Sequence, residues 1–298
     1  MDEDRRGVLH PERLPEFHRI PADAALAHAV RWLWIPEWDL PPGVASAQQL
    51  LPFPACNLVV DPDGPAFAGP ATRRSERALA GRGWAVGALL RPAAALPIAE
   101  TLGLGAIPDL RDAERPVDAP GLHAAVVAAM TQARPGAERR ARAAEAVARW
   151  ILAVVPVPSP GGDAALANAL AEVLADPAVT RVDQLERRLH VSTRSLQRLA
   201  ERWFGIPLHA MIRRRRLQEA AERLRGDPEL GISRLASELG YADHAHFTTD
   251  FKAVMGVTPS AYRASVPGPS RAAPTSRAEP TSRAEPTGRT EPRSRAAG

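Results

Sequence analysis

Apolar positions between 164 and 265 recur every three or four residues, the period of one buried helix face. Leu166, Leu170, Val173 and Leu174 predict a first helix, with Asp163 as its N-cap and Asp176-Pro177 as its stop. Val182, Leu185 and Leu189 predict a short second one. Ser192 is placed to cap a third helix that runs to Phe204 and ends at Gly205. On that helix Leu196, Leu199, Ala200 and Trp203 fall on one inner face, while Arg194, Gln197 and Arg198 share another near the N-terminus. The pattern then recurs. Ile232, Leu235, Ala236 and Leu239 predict a short helix and Gly240-Tyr241 a turn. Asp243 then caps a helix that buries Phe247, Phe251 and Val254 before Gly256. A shift of 51 residues carries Ser192 onto Asp243, Leu196 onto Phe247, Ala200 onto Phe251 and Gly205 onto Gly256. Ala245, Thr248, Thr249 and Lys252 share an outward face of the second copy. Two helix-turn-helix units in tandem are therefore expected, a far more specific signal than one.

Residues 208–225 predict a helix joining the two units, about 27 Å long at ~1.5 Å per residue. Successive major-groove faces of duplex DNA lie about 34 Å apart, so such a connector could set both units on one face of a duplex. Arginine pairs bidentately with guanine and glutamine with adenine, which suits the Arg194, Gln197, Arg198 face to a major groove. The connector also carries four arginines, 213–216. Consecutive residues span a full turn, so they cannot all meet one phosphate backbone. Two readings stand: contact of one or two with DNA, or a solvated face ion-paired with Glu219 or Glu222.

The N-terminal stretch has a different pattern. Short apolar runs at 28–35, 50–60 and 84–90, bounded by turn residues, predict strands. Helices are expected at about 121–133 and 137–155, the second with Ala143, Val147, Trp150, Ile151 and Val154 on one face. Pro-Val-Pro-Ser-Pro-Gly-Gly at 156–162 reads as a linker. The expected fold class is α+β. A mixed, beta-rich regulatory domain at 1–155 (strands in 1–120, helices in 121–155) and a linker at 156–163 precede an all-α tandem helix-turn-helix domain at 164–265. Residues 266–298 contain Pro-Thr-Ser-Arg-Ala-Glu twice, then Pro-Thr-Gly-Arg-Thr-Glu. A six-residue period without large apolar side chains builds no core, so this tail is expected to be disordered. It either solvates the chain or adds weak attraction to a polyanion.

Charge sharpens this division. The 298 residues carry a formal +4. Residues 1–163 hold 17 basic against 19 acidic side chains, 164–265 hold 15 against 12, and 266–298 hold 6 against 3. Prolines divide as 20, 4 and 6, and their scarcity in the middle segment suits helices. Only Lys252 is lysine, which codon bias explains as well as phosphate recognition does. The single cysteine, Cys56, excludes an internal disulfide and a multi-cysteine zinc site. No apolar run approaches the roughly 18 residues of a membrane helix, and the charged start resembles no signal peptide. A cytoplasmic setting, no membrane and no cofactor or metal are expected. No phosphate-binding glycine loop, Gly-x-Ser-x-Gly elbow or His-Glu-x-x-His is present, so no enzyme is expected.

The C-terminal motifs resemble those of the AraC/XylS family of bacterial transcription regulators. They are Ser-Thr-Arg-Ser-Leu-Gln-Arg-Leu at 192–199, Arg-Leu-Gln-Glu-Ala at 216–220 and Gly-Tyr-Ala-Asp at 240–243. Phe247, Phe251-Lys252 and Gly-Val-Thr-Pro-Ser-Ala-Tyr-Arg at 256–263 complete them. The resemblance covers about a third of the chain. It implies double-stranded DNA as partner, with Arg194, Ser195, Gln197, Arg198, Arg202, His244, Ala245, Thr248, Thr249 and Lys252 as DNA-binding residues. A small-molecule effector, RNA polymerase and a second copy in a homodimer are the further candidate partners. Residues 51–60, 69–72 and 86–92 resemble the beta-rich N-terminal domain of a subgroup of these regulators. Two departures stand out: Glu186 where the family usually has alanine, and Ala200 where it has phenylalanine, a gap Trp203 is expected to refill. Thr249 stands where a basic residue is common, so the first recognition helix is expected to discriminate bases and the second to hold the backbone. The zinc-tetrathiolate methyl acceptors of the wider family are excluded by the lone cysteine.

An effector pocket lined by Trp32, Trp34, Trp38, Cys56 or Arg91 competes with the reading of Trp32 and Trp34 as core. Cys56 reads as a small buried hydrophobe rather than a redox sensor. His244 and His246 point apart and suit no shared metal. A one-component regulator is expected, whose N-terminal domain senses an effector or self-associates, with 121–155 as a candidate dimer or interdomain surface. The alternative is a DNA-binding regulator whose N-terminal domain is a protein-interaction module without a ligand.

Overall fold

The computed structural model describes residues 16–50, 54–227 and 229–265. The predicted tail at 266–298 lies outside them. Among the described residues the strands come first: β1 (Glu16–Pro21), β2 (Val30–Asp39), β3 (Ala45–Leu50), β4 (Asn57–Asp61), β5 (Gly64–Ala68), β6 (Ser75–Ala80), β7 (Arg82–Trp84), β8 (Val86–Leu90) and, after helix α1 (Pro92–Thr101), β9 (Glu114–Pro116). The helices follow: α2 (Pro120–Thr131), α3 (Gly136–Val154), α4 (Asp163–Ala175), α5 (Val182–Leu189), α6 (Thr193–Phe204), α7 (Leu208–Gly226), α8 (Ile232–Glu238), α9 (His244–Met255) and α10 (Pro259–Ser265). The α+β class holds, with strands before an all-helical C-terminal region.

The main antiparallel sheet runs β1-β2-β8-β4-β5-β9, with β7 also on β2, and β3 pairs with β6 as a separate ribbon. All five residues of β8 are buried, so this central strand is covered on both faces and reads as a continuous apolar run. The predicted strand at 84–90 is broken at Ala85 into β7 and β8. The predicted strand at 50–60 is two strands: β3 ends at Leu50 and β4 begins at Asn57. The predicted strand at 28–35 begins two residues later, at Val30, and continues to Asp39.

On β2 the tryptophan reading is corrected. Trp32 and Trp34 do share a face, but Leu33 and Ile35 are the residues buried in the core. The tryptophans are half-buried on the opposite face. Arg19 and Arg31 lie 4.5 and 4.8 Å from the Trp32 ring centroid, and Phe17 stacks on Trp34 at 6.4 Å. Alternation gives two faces but does not say which turns inward. Gly87 explains how Trp34 fits, because a Cβ there would lie 2.0 Å from its indole. Trp34 Nε1 then donates to Asn57 Oδ1 at 3.1 Å.

Helix α1 had no sequence prediction, yet it joins the two halves. Pro92, Ala93, Ala94, Ala95, Leu96, Ile98 and Ala99 are all buried, packed between β8 and the helices α3, α4 and α6. Asn168 of α4 fastens the joint, its Oδ1 accepting from the Ala93 amide at 3.1 Å and its Nδ2 donating to the His28 carbonyl at 2.7 Å. One hydrophobic core therefore runs from Leu26 through the strands and α1–α6 to Ile212. A second core, Leu217 to Tyr262, belongs to the end of α7 and to α8–α10. The change occurs inside one unbroken helix. The apolar faces of α2 and α3 (Leu122, Val126, Met130, Ala143, Val147, Ile151) are spent on the first core, and Trp150 and Val154 are only half-buried.

Cys56 is 2% exposed, and burial pushes its thiol up to about 12. At pH 8 a pKa near 12 leaves roughly one thiol in ten thousand ionised, and the thiolate is the reactive form. A thiol reagent is expected to leave the native chain unlabelled for hours and to label it within minutes in denaturant. Rapid labelling of the native chain would contradict this burial.

Candidate nucleic-acid interface

The C-terminal helices are built by local rules, which repeat. Ser192 Oγ accepts from the Ser195 amide and caps α6, and Asp243 Oδ1 accepts from the His246 amide and caps α9. Gly205 (φ +66°) and Gly256 (φ +77°) end the same two helices in the left-handed conformation that glycine adopts without penalty. Both N-caps, both C-caps and both helices keep the 51-residue offset. The turn before each holds a further left-handed residue, His190 (φ 55°) and Gly240 (φ 75°). The first helix corrects one detail: α4 is capped by Gly162, and Asp163 is its first residue.

Glu186 turns from an oddity into a part of the motif. Its carboxylate accepts from both the amide and the hydroxyl of Thr193, the first residue of α6. A negative group there also complements the helix dipole. Leu196, Leu199, Ala200 and Trp203 are buried, and Phe204, one turn beyond Ala200, is buried too.

The predicted contact residues fall into two sets. On α6, Arg194, Gln197, Arg198 and Arg202 are exposed, and Ser195 is half-buried under the cap. Arg202 stands 3.9 Å from Asp163. On α9, His244, Ala245, Thr249 and Lys252 are exposed. Thr248 departs from its predicted outward position: it is half-buried, and its hydroxyl is enclosed without a hydrogen-bond partner. His246 lies 3.7 Å from Asp250 and edge-on to Tyr241, apart from His244. The described residues contain no cluster of His, Cys, Asp and Glu able to hold a metal.

The arginine run on α7 is mostly spent internally. Arg213 lies 3.6 Å from Asp250 of α9 and Arg215 3.8 Å from Glu219, with a bond to the Pro177 carbonyl. Arg216 lies over the Tyr241 ring at 4.0 Å. Arg214 is 5% exposed and donates to the Thr72 carbonyl at 3.1 Å. Burial lowers its pKa, Arg213 adds to that effect and Asp112 opposes it.

Sequence reasoning gave no role to the N-terminal residues that meet these helices. Arg111 donates through Nε to the Gly205 carbonyl and through Nη2 to Glu201. The Arg74 guanidinium packs on Gly256, so close that a Cβ there would lie 2.9 Å from its Cζ. The loops bearing these arginines are tied together: Asp112 accepts from the Thr72 amide (2.6 Å), the Thr72 hydroxyl and the Arg73 amide (3.3 Å). Burial would raise the Asp112 carboxyl pKa, and these donors outweigh it, holding it below the usual range.

Comparison with known proteins covers both halves. Residues 185–265 match a family described as a helix-turn-helix domain, and residues 18–102 match a domain of unknown function, DUF6597. The HTH-type transcriptional activator AarP of Providencia stuartii is 38% identical over 73 residues, 24% of this chain and 53% of that protein. The chain thus spans about half the length of this curated relative. Among solved structures, a lysine-to-alanine variant of apo ToxT from Vibrio cholerae is 11% identical with a TM-score of 0.41, covering 84% of this chain and 100% of that one. The C-terminal domain of AraT, a response regulator from Geobacillus stearothermophilus, is 28% identical with a TM-score of 0.29, covering 36% and 85%. No described helix is long and apolar enough to cross a membrane. With two capped helices in register and the match over 185–265, the C-terminal region of the chain is a helix-turn-helix domain, and the motifs on its helices are similar to those of the AraC/XylS regulators.

Proposed function

We propose that the chain is a cytoplasmic one-component transcription regulator whose residues 164–265 read a specific duplex site. The observation that carries this is the pair of identically capped helices, each presenting an exposed polar face. In this reading Arg194, Ser195, Gln197, Arg198 and Arg202 of α6 supply most base discrimination, and His244, Ala245, Thr249 and Lys252 of α9 mainly hold the sugar-phosphate backbone. Thr248 acts through the packing of α9 or after a rotation that exposes its hydroxyl. The α7 helix, about 28 Å over 19 residues, spans a distance close to one duplex turn. Regulation rather than catalysis is the activity. RNA polymerase contact and pairing with a second copy belong to the same reading.

Arg198→Ala is expected to weaken binding to the preferred duplex by about 1–3 kcal/mol and to relax preference at one base pair. Fluorescence anisotropy against the preferred site and its single-base variants measures both. The ranking of the helices is wrong if Arg198→Ala leaves site preference intact while Thr248→Ala and Thr249→Ala abolish it.

For the N-terminal half, effector sensing is preferred to a ligand-free protein-interaction module because a cleft of about 100 Å³, room for one small group of a ligand, opens where that half meets the C-terminal helices. It lies between β8, α4 and α7 and is lined by Leu89, Arg91, Glu172, Phe204, Met211 and Arg215, an apolar floor with a charged rim. A thermal-shift screen of the full chain against metabolites separates the two readings, because a ligand that binds only the folded form raises its melting temperature. The full chain is needed because a 1–155 fragment would bare the α1 face that α4 and α6 cover.

A further inference from the structure

We propose that Arg74, Arg111 and Arg214 are positioning residues that clamp the two recognition helices at a fixed mutual orientation around the Thr72–Asp112 knot of the N-terminal half. This rests on the reading of α6 and α9 as DNA-reading helices. It goes beyond that reading by making the N-terminal half part of the reader, whether or not an effector is bound.

Four observations converge. First, the C-caps that Arg111 and Arg74 engage are equivalent positions of the repeat, Gly205 and Gly256, so one lobe holds both readers at the same structural point. A cation at a helix C-terminus also complements the dipole. Second, the two loops are tied to each other, because Asp112 accepts from Thr72 and Arg73. Third, α7 docks on the same knot through Arg214 and the Thr72 carbonyl. Fourth, the second unit has its own core, from Leu217 to Tyr262, so apolar packing alone does not fix it to the rest. A glycine admits each close approach: any Cβ at 205 would meet the Ile107 carbonyl oxygen at 2.9 Å, and any Cβ at 256 would meet Arg74. The helix faces carrying Arg198 and Thr249 remain open to a duplex. The clamp thus sets their spacing and angle while leaving the base-reading side chains alone.

The experiment uses the full chain and a duplex selected from a random library by the wild-type protein. The distance between its two half-elements is then lengthened or shortened by one and two base pairs. Arg74→Ala and Arg214→Met, the latter keeping side-chain bulk, are expected to bind the selected duplex with an unchanged salt slope. They should lose about tenfold of the discrimination between selected and altered spacings, and Arg74→Lys should restore it. Spin labels on Arg187→Cys and Ala253→Cys give a measurement without DNA: their distance distribution should broaden in both variants. Unchanged spacing preference with a narrow distribution overturns the clamp. A uniform loss of affinity with a salt slope reduced by about one makes Arg74 a phosphate contact instead, which also overturns it. If the wild-type chain enriches no duplex, the DNA-reading premise fails, and the clamp as a reader device fails with it.

Discussion

Phe251→Ala is expected to cost about 3–5 kcal/mol, the usual loss for a fully buried aromatic, and to spend that loss on one half of the molecule. Phe251 is 0% exposed, and its ring centroid lies 5.6 Å from Phe247 and 5.8 Å from Tyr262. These rings form the centre of the second core, which spans only the end of α7 and helices α8–α10. A small core has little stability in reserve, since a domain's total is itself only about 5–15 kcal/mol. The variant should therefore lose amide protection in α9 while β8 and α1 keep theirs, as hydrogen exchange would report. A single cooperative transition, shifted as a whole, would show that α7 couples the two cores more tightly than their packing indicates.

Gly205→Ala should be the more damaging of the two C-cap substitutions. At φ +66° an L-residue pays about 1–2 kcal/mol for the left-handed conformation alone. The new methyl would also lie 2.9 Å from the Ile107 carbonyl oxygen, a backbone atom that moves only with the 3₁₀ turn Ile107–Leu110. Gly256→Ala carries similar conformational strain, but its methyl meets the end of the Arg74 side chain, which can swing aside. Thermal melts should rank wild type above Gly256→Ala and Gly256→Ala above Gly205→Ala. Equal melting temperatures for the two variants would remove the close approach at Ile107 from the account.

The helix-turn-helix half was legible because its determinants are local. Caps, helical periodicity and left-handed glycines lie within a dozen residues of one another, and the 51-residue offset survived into the structure unchanged. The N-terminal half was less so, for identifiable reasons. Helix α1 is apolar around most of its circumference and is interrupted by Pro97, so despite its alanines it lacks the amphipathic period that marks a helix in sequence. In β2 the alternation was visible but not its direction, and a register shift between Val30 and Trp32 further obscures it. Thr248 looked outward by spacing, yet its hydroxyl is enclosed. The contacts of Thr72, Arg111 and Arg214 join residues 40, 94 and 142 positions apart, and nothing in local sequence announces them. Glu186 was visible as a departure from the family pattern; only the carboxylate's place beside Thr193 gave it a purpose.

The layer that α1 forms has a bearing on how such chains can be recombined. With Asn168 bonded to His28 and Ala93, and α6 resting on the same helix, the first helix-turn-helix unit is moulded to its own N-terminal half. A graft that swaps N-terminal halves between relatives at 156–162 would transplant a socket without its plug. Moving the junction into α7, between Ile212 and Leu217 where one core gives way to the next, would carry both faces together. The exchangeable cassette in this architecture is then the second unit alone, and the natural seam lies inside a helix rather than in the proline-rich segment before it.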